Sequence, residues 1–143
     1  MSDSTSNYLR QKEEASNQAD RLKGTGAVRT FETGATRDTD EGKLDYEGFI
    51  SPRVLQGFAE YMHKHRIQSD GTLRDSDNWQ KGMPYDEYLK SAFRHFVDVW
   101  LHRRGERDLA REPLEEALYA LMFNVQGMLF ELTREDDDAT PVS

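Results

Sequence analysis

Apolar residues recur at helical spacing in three stretches of this chain. In the first, Val54, Leu55, Phe58, Tyr61 and Met62 follow Ser51, which can cap a helix, and Pro52, which suits its first position. The pattern predicts a helix from about residue 52 to residue 66. In the second, Leu89, Ala92, Phe93, Phe96, Val97 and Trp100 gather on one face at about 100° per residue. It predicts a helix from near Pro84 to about Arg104, ended by Gly105. In the third, Leu114, Ala117, Leu118, Leu121, Met122, Val125, Met128, Leu129 and Leu132 form a stripe through residues 113 to 134. Its back face adds Tyr119, Phe123 and Phe130 with small Ala120 and Gly127, and a helix apolar nearly all round is buried centrally or in a subunit interface. The expected core is Phe93, Phe96, Trp100, Leu118, Leu121 and Val125. The face with Ala120, Phe123, Gly127 and Phe130 is expected to lie under the N-terminal loop or in a symmetric dimer.

Between these stretches the chain is polar. Residues 67 to 83 form a connection long enough to hint at function. Residues 29 to 50 lack clear periodicity and are punctuated by Gly34, Gly42 and Gly48, while Phe31, Leu44, Tyr46, Phe49 and Ile50 favour an ordered loop over a floppy linker. Residues 1 to 27 are rich in Ser, Asn, Gln, Lys and Glu and read as a mobile polar segment, with a frayed helix as the other option. Residues 135 to 143 open with Glu135, Asp136, Asp137 and Asp138 and read as a solvated acidic tail. The expected architecture is an all-α small helical bundle over residues 28 to 134, with a long ordered N-terminal loop.

Composition narrows the function classes. The absence of cysteine excludes disulfides, zinc–thiolate sites and cysteine nucleophiles, and fits a cytoplasmic location. No run approaches the length of a membrane span, and the N-terminus shows no apolar signal-peptide segment, so no membrane association is expected. A net charge of −8 argues against broad nucleic-acid binding. It leaves room for a nucleotide met by local Lys and Arg or by a divalent cation.

Candidate chemistry sits in four places. On the third helix, Glu116, Asn124 and Glu131 share a flank, and polar groups on a buried helix must be paired or bind something. Glu116 with Glu115 can hold a divalent cation through carboxylate oxygens, or the two can simply favour the positive end of the helix dipole. On the second helix, His95, Asp98 and His102 share a face flanked by Arg94. That H-x-x-D-x-x-x-H pattern can hold a metal or relay a proton, or be a solvated face with an internal ion pair. It lies opposite the apolar stripe, so a functional role needs a loop or second subunit to cover it. Two loops carry phosphate-binding residue types: Arg37, Asp38, Lys43 and Asp45 in one; Asp77, Asn78, Trp79, Lys81 and Gly82 in the other. Trp79 can stack on a base or plug the core. The chain has no Walker-type P-loop, no GxGxxG and no GxSxG.

Taken together, the runs ETGATRDTDEGKLDY (Glu32 to Tyr46), DNWQKGMPYDEYLKSAFRHF (Asp77 to Phe96) and EEALYALMFN (Glu115 to Asn124) resemble the N-terminal domain of phage dATP/dGTP diphosphohydrolases, a family related to the MazG-like all-α nucleotide pyrophosphohydrolases. The resemblance covers roughly residues 30 to 134. It implies a helical, dimeric, Mg²⁺- or Mn²⁺-dependent enzyme that cleaves a deoxynucleoside triphosphate to the monophosphate and pyrophosphate, reshaping the deoxynucleotide pool in the cytoplasm of a phage-infected host. In that reading Glu116 is the lead metal ligand, supported by Glu115 and Asp98, and His95 is the proton-transfer group. Arg37, Lys43, Asn78, Trp79, Lys81 and Arg94 are the substrate-binding residues. MazG-like enzymes carry E-E-x-x-E on one helix and E-x-x-D on a later one. Here Glu115 and Glu116 match the first pair, Tyr119 stands in the third acidic position, and Glu131 is followed by Arg134 in place of the Asp. That incomplete acid set supports the alternative, a non-catalytic phage interaction module that binds a replication or host protein through the third helix.

Overall fold

The computed structural model describes residues 2–23 and 28–138, with side chains described over 6–17 and 28–134. The chain divides into two units, Met1–Phe49 and Ile50–Ser143. Residues 24–27 of the polar N-terminal segment and 139–143 of the acidic tail lie outside the described residues.

In the first unit, helix α1 spans Ser2–Lys23. Its described side chains are exposed, apart from half-buried Leu9. Where a continuous loop was expected, two short strands, β1 (Val28–Thr30) and β2 (Thr36–Asp38), pair antiparallel with Val28 opposite Asp38 and Thr30 opposite Thr36. The turn closes through Phe31 N–H to the Ala35 carbonyl and Gly34 N–H to the Phe31 carbonyl, and Gly34 adopts φ +81°. A one-turn helix α2, Tyr46–Phe49, is capped by the Asp45 carboxylate, which accepts from Gly48 N–H at 2.9 Å. Leu44, Tyr46, Phe49 and Ile50 are exposed, so backbone pairing orders this stretch and the expected apolar anchors do not.

The second unit is a small all-α bundle built from α3 (Pro52–Lys64), α4 (Tyr85–Arg103) and α5 (Leu114–Asp138). Ser51 caps α3 by accepting from Val54 N–H at 3.3 Å. The contacts fix the topology. Met83 meets Glu131, Tyr88 meets Phe123, and Asp98 meets Arg111 just before α5, so α4 and α5 run antiparallel. Phe58 and Tyr61 pack on Tyr119 while Lys64 reaches Glu116, so α3 and α5 also run antiparallel. Helix α5 is central and carries the most buried positions among the described residues: Ala117, Ala120, Asn124, Gly127 and Glu131. It runs four residues beyond the expected end, so the backbone of Glu135 to Asp138 is helical.

The core differs from the expected one. Phe93, Phe96 and Trp100 are 63%, 50% and 55% exposed, and Leu118 and Val125 are exposed as well, while Leu121 is half-buried. The helices turn their other faces inward: Tyr88, Ala92 and Asp98 from α4, Ala117, Ala120, Asn124 and Glu131 from α5. The physical reason is side-chain size. A Cβ at Gly127 would collide with the Tyr88 ring, so the backbones approach where α5 is smallest, and each polar group caught there finds its own partner: Asp98 in Arg111, Asn124 in the Ala120 carbonyl, Glu131 in Met83 N–H and Arg134. Within the second unit, the face with Ala120, Phe123, Gly127 and Phe130 is met by α4 and the 67–83 connection. Tyr88 packs on Phe123 at 5.8 Å and Trp79 on Phe130 at 4.8 Å between ring centres.

Residues 67–83 fold back on themselves. Ile67 and Leu73 form an isolated bridge around a turn at Gly71, and Arg66 Nε donates to the Arg74 carbonyl at 2.7 Å. A single 3-10 turn, Asn78–Lys81, then carries Trp79 onto α5. No described helix is long and apolar enough to cross a membrane.

Candidate functional site

An open cleft of about 640 Å³ lies among α3, the 67–83 connection, α4 and α5. That size suits a small organic ligand. Phe58, Tyr61, Trp79 and Phe123 give it aromatic walls, and His65, Arg66 and Arg74 bring cationic or protonatable groups to its rim. Ser91, His95 and Asn124 also line it. Asn124 is buried and donates through Nδ2 to the Ala120 carbonyl at 2.8 Å, which leaves its side-chain oxygen free of any described partner.

Behind His95 lies a charged network where the chain turns from α4 into α5. Asp98 is 1% exposed, and Arg111 closes on it with three hydrogen bonds: backbone N–H to Oδ1 at 3.0 Å, Nε to Oδ2 at 3.0 Å and a terminal nitrogen to Oδ2 at 2.6 Å. These bonds hold the Asp98 carboxyl below the usual carboxylate range against the opposing effect of burial. Glu112 pairs its carboxylate with His95 Nδ1, and its carbonyl accepts from His102 Nε2 at 2.8 Å. The face with His95, Asp98 and His102 is thus covered by a loop, as a functional role required: the Arg111–Glu112 segment between α4 and α5.

Glu116 lies elsewhere. Lys64 Nζ donates to its Oε1 at 2.7 Å and His65 Nε2 stands 3.6 Å from its Oε2. Lys64 is the main cause of a carboxyl held below its ordinary range, with His65 adding to it. Tyr61 stands near this acid: burial first, then the charges of Glu112 and Glu116, push its hydroxyl up to about 12. Glu115 is exposed and borders a shallow groove with Glu60, Lys64 and Glu116.

The substrate-binding candidates scatter. Arg37 sits in β2, opposite Arg29, and Lys43 pairs loosely with Asp40 at 3.9 Å, both in the first unit. Asn78 and Trp79 line the cleft. Lys81 is exposed beside Asp75 at 3.8 Å, and Arg94 is exposed on α4. Sequence reasoning passed over Arg66, Arg74, Arg111 and Glu112. The last two had a signal. A short connection makes neighbouring helices antiparallel, so residues just before the third helix had to sit beside the end of the second.

The expected Mg²⁺ set does not fit these positions. Mg²⁺ asks for octahedral oxygen ligation at about 2.1 Å. Both oxygens of Asp98 are held by Arg111, those of Glu116 face Lys64 and the His65 ring, and Glu115 is exposed. Among the described residues, the group that brings three ligand atoms within 4.8 Å of one another is His95, Asp98 and Glu112, with Glu116 outside it. One imidazole and two acids already engaged in pairs do not make that shell. Comparison of the chain with family models, with curated proteins and with solved structures finds no match.

Proposed function

We propose that the cleft binds a deoxynucleoside triphosphate and that the chain hydrolyses it to the monophosphate and pyrophosphate, in the phage nucleotide-pool role that the sequence resemblance implies. The observation that carries this is the pairing, in one cleft, of aromatic walls with Arg66 and Arg74. An aromatic ring offers a stacking face to a base, and a guanidinium offers a planar fork to a phosphate. Trp79 sits at 4.8 Å from Phe130, which fixes its ring as one wall. Arg66 spends Nε on the Arg74 carbonyl and keeps its terminal nitrogens for a ligand. The net charge of −8 opposes adventitious anion binding, so two arginines in one cleft are a local exception to the acidic chain.

The test is Trp79 fluorescence in a Trp100→Phe variant, which leaves one reporter in the cleft. Titration with dATP or dGTP in Mg²⁺ should quench it saturably, Arg74→Ala should weaken binding at least tenfold, and pyrophosphate should be released in a coupled assay. Saturable quenching without any product supports binding alone. No response to any common dNTP or NTP removes the nucleotide reading.

A homodimer belongs to the same proposal. Phe93, Phe96, Val97 and Trp100 on α4, and Leu118, Met122, Val125 and Leu129 on α5, are each at least 39% exposed. Apolar faces of that kind are covered in stable proteins, and a second copy is the simplest cover. A monomer with these faces free in solution favours the second reading, a non-catalytic module that offers them to another protein.

A further inference from the structure

We propose that Glu112 and His95 form a carboxylate–imidazole dyad that leaves Nε2 of His95 as a proton acceptor in the cleft, with Glu112 as its positioning residue. A carboxylate only accepts, so Nδ1 of His95 carries the proton of their hydrogen bond. In the neutral ring, the lone pair then lies on Nε2. That nitrogen has no hydrogen-bond partner among the described residues, and His95 lines the cleft beside Ser91 and Asn124.

Glu112 is held from both sides. Its own carbonyl receives the proton of His102 Nε2, and the preceding residue is locked on Asp98 by three hydrogen bonds. A surface ion pair lacks this backing. Here both partners are about one fifth exposed, and the segment that carries Glu112 cannot swing away without breaking the Asp98–Arg111 grip. Among the described residues, the ring is grouped with Glu112 and with Asp98, which Arg111 holds; Tyr61 from α3, which stays protonated at neutral pH, lines the same cleft, as do His65, Arg66 and Arg74.

The chemistry rests on the nucleotide reading for its substrate. With a phosphate anhydride in the cleft, Nε2 takes a proton from water while the water oxygen bonds to phosphorus. The anhydride P–O bond breaks, its electron pair leaves with the departing pyrophosphate, and the imidazolium returns its proton to solvent. A positioned general base of this kind contributes about 10²- to 10⁴-fold.

The experiment is long-range ¹H–¹⁵N NMR of histidine-labelled protein, which separates the four imidazoles by tautomer. His95 should carry its proton on Nδ1. Glu112→Gln keeps an acceptor and should keep that tautomer, whereas Glu112→Leu should lose it with the backbone spectrum otherwise preserved. Diethylpyrocarbonate should modify His95 at Nε2, and dATP with Mg²⁺ should slow that modification. If His95 carries its proton on Nε2 in the native protein, the dyad is overturned whether or not nucleotide binds. If the Nδ1–H tautomer stands and no nucleotide protects, the dyad holds and the nucleotide reading fails. If turnover is found and His95→Gln retains it, His95 is no base. Under the proposal His95→Gln loses about 10²-fold in kcat with KM little changed, and Glu112→Leu loses less.

Discussion

Arg111 reaches from the turn before α5 and closes both oxygens of Asp98, a carboxylate that is 1% exposed, while the guanidinium itself stays half in solvent. The asymmetry predicts which partner matters. Arg111→Met leaves a buried charge with one backbone N–H, and losing a partner in this way costs about 3 kcal/mol or more. The pH dependence has a sign. Asp98 is depressed in the folded state, so its stabilisation is complete above the unfolded value, about 3.9, and is lost as pH falls through the lower folded value. In Arg111→Met burial outweighs the remaining backbone N–H and His95 and raises that carboxyl, so protonation relieves the variant on mild acidification. Urea midpoints should therefore differ widely between wild type and variant at pH 7 and less widely at about pH 4.5. An equal gap at both pH values would reject the account.

Gly127 and Tyr88 predict a packing effect. A methyl at Gly127 meets the Tyr88 ring, and overpacking of this kind costs about 1 to 3 kcal/mol. Gly127→Ala should lower the melting temperature, and Tyr88→Leu should rescue it, because the smaller side chain frees the space. The Tyr88 hydroxyl is buried without a partner, and burial raises its pKa. Tyr88→Phe alone should leave stability unchanged or higher, since nothing bonded is lost. A fall in melting temperature with Tyr88→Phe would reveal a bridging water.

The helices were legible in the sequence because periodicity and caps are local. Ser51, Pro52 and Gly105 bound α3 and α4 to within two residues of expectation. The core was not legible. Periodicity tells which residues share a face, but not which face meets the neighbour. Here small Ala92, Ala117, Ala120 and Gly127 decided the contact, and Phe93, Phe96 and Trp100 were left outside. Of the polar flank Glu116, Asn124 and Glu131, the last two are buried and Glu116 is half-buried. The buried two are answered by local pairing: Asn124 bonds the Ala120 carbonyl, and Glu131 accepts from Met83 N–H at 3.0 Å beside Arg134. The partners of His95 and Asp98 were missed because Arg111 and Glu112 lie in an irregular turn, where no period marks them.

The outward apolar faces make a prediction that does not depend on the ligand. Phe96 is half-exposed on α4, so Phe96→Glu should preserve the helical spectrum. If a second copy covers these faces, light scattering should give a dimer for wild type and a monomer for Phe96→Glu. A monomeric wild type removes the homodimer.

Glu116 was the lead metal ligand, and its surroundings now separate the two roles. With Lys64 at 2.7 Å and His65 at 3.6 Å, the carboxylate already has a counter-charge and a second polar partner. Lys64 is 65% exposed, so solvent screens the pair, and exposed ion pairs contribute about 0.2 to 1 kcal/mol. Glu116→Gln should thus lower stability by less than about 1 kcal/mol at neutral pH. Because the Glu116 carboxyl is depressed, that small loss should vanish as pH falls through its folded value, where wild type surrenders the same interaction. Nucleotide-dependent quenching of Trp79 and release of pyrophosphate should survive the change, since the cleft arginines are untouched. A metal ligand behaves otherwise. If Glu116→Gln leaves the melting temperature unchanged and abolishes Mg²⁺-dependent release, then Lys64 and His65 are displaced by a cation in the working protein, and the ion pair is only its resting state.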